Sequence, residues 1–173
     1  MQQLPSVFIS YNPGVEFEET LAIRLHTIGA VHGFNMLLPD RSAFRGPLVS
    51  SETANRIRLA DYFIIFSTSL LSDAVQKEIE VAFEHLHDKA KIIIVYDSKV
   101  GKNLQGGEMC TEIFIDSSKP TQQILQTILN KIESQNGSKK NPQPQGNDVL
   151  GGILLAGLGL LLLGALLGDG KGK

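Results

Sequence analysis

Five short apolar runs constrain this chain more than any other feature: Val7-Phe8-Ile9, then 34–38 with one polar break, 62–66, 92–96 and 113–115. They are too short for helices and too continuous for strands with one wet face. Bounded by Asp, Ser, Gly and Pro, they fit strands of a parallel sheet covered on both sides, where neither side-chain direction meets water.

The segments between them have helical spacing. Phe17, Leu21, Leu25 and Ile28 recur at three- and four-residue intervals, as do Val75, Ile79, Ala82, Phe83 and Leu86, and Ile124, Leu125, Ile128, Leu129 and Ile132. Ser72 can cap the second of these helices with Asp73 in its first turn, and Pro120 opens the third, with Gly137 after it. A weaker helix begins at Ser50-Ser51-Glu52. Residues 101–107 hold too little apolar content for another and read as a loop. Strand and helix alternate, which predicts an α/β domain with right-handed crossovers and ligands at the carboxyl ends of the strands.

At 173 residues the chain has room for one domain and an appendage. With 18 acidic and 16 basic residues its formal charge is -2, so no general attraction to nucleic acid is expected. The single cysteine, Cys110, cannot form an intramolecular disulfide, and Met1 precedes a polar segment rather than a signal sequence; a reducing cytoplasm is expected for the folded part.

The domain is expected over residues 1–135. A polar, breaker-rich linker follows at 136–148. Residues 149–168 then comprise ten Leu, six Gly, two Ala, one Val and one Ile, without a charged or polar side chain. As a helix these would span about 30 Å, the hydrocarbon thickness of a bilayer. A membrane anchor is the expectation, with the domain in the cytoplasm and the polar tail at 169–173 on the far side. The alternative is an apolar strip buried between subunits of a soluble assembly; a further alternative for function is an effector whose domain senses or assembles while 149–168 perturbs the membrane through oligomerisation. Gly157, Gly164 and Gly168 leave a small-residue face on which such helices could associate.

Three segments fall where strands should end: Phe8-Ile9-Ser10-Tyr11-Asn12; Asp40 followed by the Gly46-Pro47 loop; and Ser72 through Glu78-Ile79. Together with Ala60-Asp61 entering the third strand, and in this order, they resemble a Toll/interleukin-1 receptor (TIR) domain across residues 1–135. The resemblance implies a flavodoxin-like sheet of five parallel strands with helices on both faces. Many members of that family cleave NAD with a glutamate whose place in the motif is taken here by Glu78, and NAD would be the substrate with no further cofactor. Others act as scaffolds that self-assemble through their helices and the Gly-Pro loop. The chain departs from the family pattern with Ala74-Val75 ahead of the glutamate and with an Asn12-Pro13-Gly14 turn after Tyr11.

The implied chemistry is physically economical. Breaking the nicotinamide–ribose bond develops oxocarbenium-like charge, and the nicotinamide, a cation in the substrate, leaves neutral. No general acid is needed, so one carboxylate suffices where ordinary glycosidases use two. Glu78 lies three residues after Val75 and four before Ala82, on the shoulder of the buried stripe. The alternative for it is a boundary glutamate paired with a nearby Lys or Arg. Ser10, Tyr11, Asn12, Asp40 and Ser72 are further candidates for substrate contact, Ser72 also serving as a helix cap. In the loop 41–48, Phe44 offers a ring for stacking and Arg41 or Arg45 a charge for phosphate; alternatively that loop is a solvated or self-associating surface. His85 and His87, two apart on a helix, point in different directions and do not form a metal grip. Cys110 is expected at a buried strand edge. No G-x-G-x-x-G follows the first strand, which disfavours a redox dinucleotide site.

Overall fold

Each of the five apolar runs pairs with another in the same direction. A computed structural model describes residues 4–41, 49–104 and 109–136. The strands are β1 (Ser6–Ser10), β2 (Asn35–Leu37), β3 (Tyr62–Ser67), β4 (Ile92–Asp97) and β5 (Thr111–Ile115), and the helices α1 (Glu16–Val31), α2 (Ser51–Arg58), α3 (Asp73–His85) and α4 (Thr121–Gln135). Every pairing is parallel and the sheet order is β2-β1-β3-β4-β5. That is the flavodoxin-like doubly wound order, whose switch point lies beside β1 at the carboxyl ends of the strands.

The period-two alternation of the strands splits the interior into two layers. Val7 and Ile9, Ile64 and Phe66, and Ile93 and Val95 face α1 and α4. Phe8, Phe63, Ile65, Ile92, Ile94 and Tyr96 face α2 and α3, with the Phe8 and Phe63 rings stacked at 5.5 Å. All of these side chains are buried, each large one contributing about 1.5–3 kcal/mol by leaving water. The same alternation puts Ser10 on the Phe8 side, facing α3, and Thr68 on the Phe66 side, facing α1.

Complete burial holds for β1, β3 and β4 and fails at the edges. Asn35 is exposed on β2, and Phe114 on β5 is 50% exposed. An edge strand has a neighbour on one side only. In addition, the described residues between β4 and β5 form no α-helix to cover that end; of the loop expected at 101–107, residues 101–104 are irregular and 105–107 lie outside the described residues.

Local signals explain the helix ends. Ser50 accepts the N–H of Thr53 and caps α2; Ser72 does the same for Val75 at the start of α3. Pro120 stands at the N-cap of α4 rather than in its first turn, and Leu86 is the residue after α3 rather than its last turn. A 3-10 turn at Lys89–Lys91, not anticipated from sequence, leads into β4. Gly29 on the inner face of α1 lets β2 approach: a Cβ there would lie 2.5 Å from the Met36 Sδ.

Residues 42–48 and 137–173, and with them Phe44, Arg45, nearly all of the linker, the apolar stretch 149–168 and the polar tail, lie outside the described residues. Among the described residues no helix is long and apolar enough to cross a membrane.

Candidate functional site

Glu78 is 1% exposed, although it is a carboxylate on a helix that otherwise shows a polar face to water. It sits within the buried stripe of α3, with Val75, Ile79 and Ala82, rather than on its shoulder. Because Ser10 ends β1 on the face that α3 covers, the two meet. The Ser10 Oγ donates to Glu78 Oε2 at 2.5 Å. Arg41, just past the end of β2, brings its guanidinium to the same carboxylate, Nη1 to Oε1 at 2.9 Å and Nη2 to Oε2 at 3.4 Å. Nη2 also donates to the Tyr11 carbonyl at 2.8 Å, and the guanidinium carbon lies 5.3 Å from the centre of the Tyr11 ring.

These contacts set the electrostatics. Burial pushes the Glu78 carboxyl above the ordinary carboxylate range; the charge of Arg41, the hydroxyl of Ser10 and the hydrogen bonds of Arg41 pull the other way without cancelling it. Burial likewise raises the Tyr11 phenol, opposed first by Arg41. Both alternatives considered for Glu78 are therefore present in one arrangement. It is a buried carboxylate at the rim of the sheet, and it is paired with an arginine.

A second polar cluster lies beside the first, centred on a residue that the apolar periodicity does not pick out. Glu18, in the first turn of α1, has no exposed surface. It accepts from the backbone N–H of Asn12 at 2.7 Å, the Asn12 side-chain amide at 3.0 Å, the Thr68 N–H at 3.1 Å, the Thr68 hydroxyl at 2.8 Å and the Ser69 hydroxyl at 3.1 Å. Gly14, at φ 81°, lets the chain turn back between Asn12 and α1 so that the carboxylate can reach. The Asn12 side-chain oxygen in turn accepts the Ser72 N–H at 2.7 Å. Asn12 and Ser72 thus tie the ends of β1 and β3 to the start of α3. Glu18 had one sequence signal: it precedes Leu21 by three residues and Ala22 by four, on the buried face of α1.

The carboxyl ends of the strands therefore bring Ser10, Tyr11 and Glu78 together with Arg41, and Asn12 and Ser72 together around Glu18. Asp40 lies at the same end of the sheet, its N–H donating to Thr53 Oγ1 at 2.9 Å. Other candidates fall elsewhere. The His85 Nε2 accepts from Arg58 Nε at 3.0 Å, His87 is exposed, and among the described residues no group of three or more His, Cys, Asp or Glu is placed to hold a metal ion. Cys110 is half-buried one residue before β5, its thiol raised by burial.

A buried carboxylate of this kind can stabilise positive charge that develops beside it, because little water is present to screen the field. Its hydrogen bond from Ser10 fixes Oε2, while Arg41 approaches both oxygens, Oε1 more closely.

No protein-family model matches the chain, and no curated protein does. Among solved structures the chain is similar to the TIR domains of the activated Roq1 resistosome directly recognizing the pathogen effector XopQ, at 17% identity and a TM-score of 0.44, over 76% of this chain and 75% of that one.

Proposed function

We propose that this is a TIR-like enzyme that breaks the nicotinamide–ribose bond of NAD, by hydrolysis or cyclisation, with Glu78 as its catalytic carboxylate. The observation that carries this reading is the almost complete burial of Glu78 at the carboxyl ends of the strands, hydrogen-bonded to Ser10. Desolvation strengthens the field of the ionised carboxylate at the position where ribose would acquire positive charge. The Tyr11 ring, which lies against the guanidinium paired with Glu78, would be the wall against which the nicotinamide end lies. The domain would act in defence or signalling, in a self-assembled state, tethered to a membrane by the apolar stretch 149–168, whose composition has no surface compatible with water.

The test is turnover of NAD by the full chain assembled on lipid vesicles. Wild type is expected to release nicotinamide, and Glu78→Ala to do so more slowly by about a hundredfold or more. Equal turnover by the two would sink the assignment.

One observation favours a second reading, a non-enzymatic scaffold: Arg41 satisfies Glu78 as a purely structural ion pair would. On that reading Glu78→Ala leaves assembly and signalling intact while substitution in the Gly46-Pro47 loop abolishes them.

A further inference from the structure

We propose that Arg41 is a specificity-determining residue, a counter-cation built into the protein that a ligand's positively charged ring must replace at Glu78. This rests on the NAD reading above and names the property of the ligand that the site selects.

Glu78 is enclosed, so its negative charge requires a nearby positive one. Arg41 supplies it with a flat, delocalised cation laid against the carboxylate on one side and within 5.3 Å of the Tyr11 ring centre on the other. A pyridinium ring has the same character: planar, singly positive, and able to stack on an aromatic face while neutralising a carboxylate. Of the two members of the pair, Arg41 is the one that can leave, since its side chain is 24% exposed against 2% for Glu78. Its seat is also imperfect. The Arg41 Nε is buried with no hydrogen-bond partner among the described residues, so departure returns that N–H to water.

The exchange conserves charge only if the incoming ring is itself a cation. An uncharged ring of the same shape would leave Glu78 buried and unpaired, and would be rejected. The site should therefore accept the oxidised nicotinamide ring and refuse the reduced, neutral dihydronicotinamide.

The experiment uses the full chain, wild type, Arg41→Gln and Arg41→Lys. The carbon-13 signal of the Glu78 carboxyl is titrated without ligand, and binding of nicotinamide riboside and of its reduced, uncharged form is measured at pH 8. Expected results are a higher titration midpoint in Arg41→Gln, and nicotinamide riboside binding tightened by about tenfold with no gain for the reduced form. Arg41→Lys, which keeps the charge but not the flat fork, should give intermediate values on both and remains informative if the Gln variant does not fold. An unchanged midpoint overturns the proposal. So does a raised midpoint with riboside binding absent or not tightened. NAD turnover by wild type against Glu78→Gln is read separately, so a failed exchange and a failed assignment of NAD are distinguishable.

Discussion

The carboxylate of Glu18 receives both the N–H and the hydroxyl of Thr68, at 3.1 and 2.8 Å, across fifty residues of sequence. With its bonds from Asn12 and Ser69 it joins α1 to the ends of β1 and β3, and through Asn12 to the first turn of α3. Removing it strands several buried donors at once. Glu18→Ala is expected to lose about 3 kcal/mol in urea unfolding with an unchanged denaturant slope, and Glu18→Gln, which keeps one acceptor but turns an amide N–H₂ toward the donors, about 2 kcal/mol. A loss below about 1 kcal/mol for the alanine variant would show that these bonds are replaced by water.

Glu78 should make the folded state less stable as pH rises. Its carboxyl is raised above the ordinary range by burial, so between the unfolded and folded values the folded chain holds more protons than the unfolded one. Stability then falls as pH increases through that window, and the penalty is complete above the folded value. Glu78→Gln removes the titration. It leaves Arg41 without its partner, but that guanidinium is partly in water and little is lost. Thermal melts should therefore coincide near pH 4, and the variant should melt above wild type at neutral pH. A wild type that gains on the variant with rising pH would contradict the account.

Much of this was legible in the sequence because burial on two faces leaves an unmistakable pattern. The runs that became β1, β3 and β4 are apolar at every position since helices cover both of their sides, and Ser50 and Ser72 announce the starts of α2 and α3 by the chemistry of capping. What was hidden is polar. Glu18 occupies the inner face of α1 but breaks an apolar count, so spacing drawn through Phe17, Leu21, Leu25 and Ile28 passes to one side of the true buried line of Glu18, Leu21, Ala22, Leu25 and Gly29. Glu78 was visible as a candidate, yet its pairing with Arg41 depends on where β2 ends relative to α3, a distance of 37 residues that no local rule encodes. The exposure of Phe114 was equally out of reach. It follows from β5 being last in the sheet, which only the strand order reveals.

Ser10 separates a catalytic carboxylate from a structural one. Its hydroxyl donates to Glu78 Oε2, and that bond favours the ionised form, acting against burial. Ser10→Ala deletes the donor without adding bulk, so the carboxyl should rise further above its ordinary range. If NAD cleavage requires ionised Glu78, the acid limb of kcat/KM must move to higher pH, cutting activity at neutral pH by about tenfold for each unit moved. Well above the new limb, activity should recover toward wild type, because the carboxylate is ionised again and only its orientation has loosened. A scaffold reading predicts no such limb. A variant whose activity falls by the same factor at every pH would show that Ser10 positions Glu78 or the substrate rather than tuning its charge.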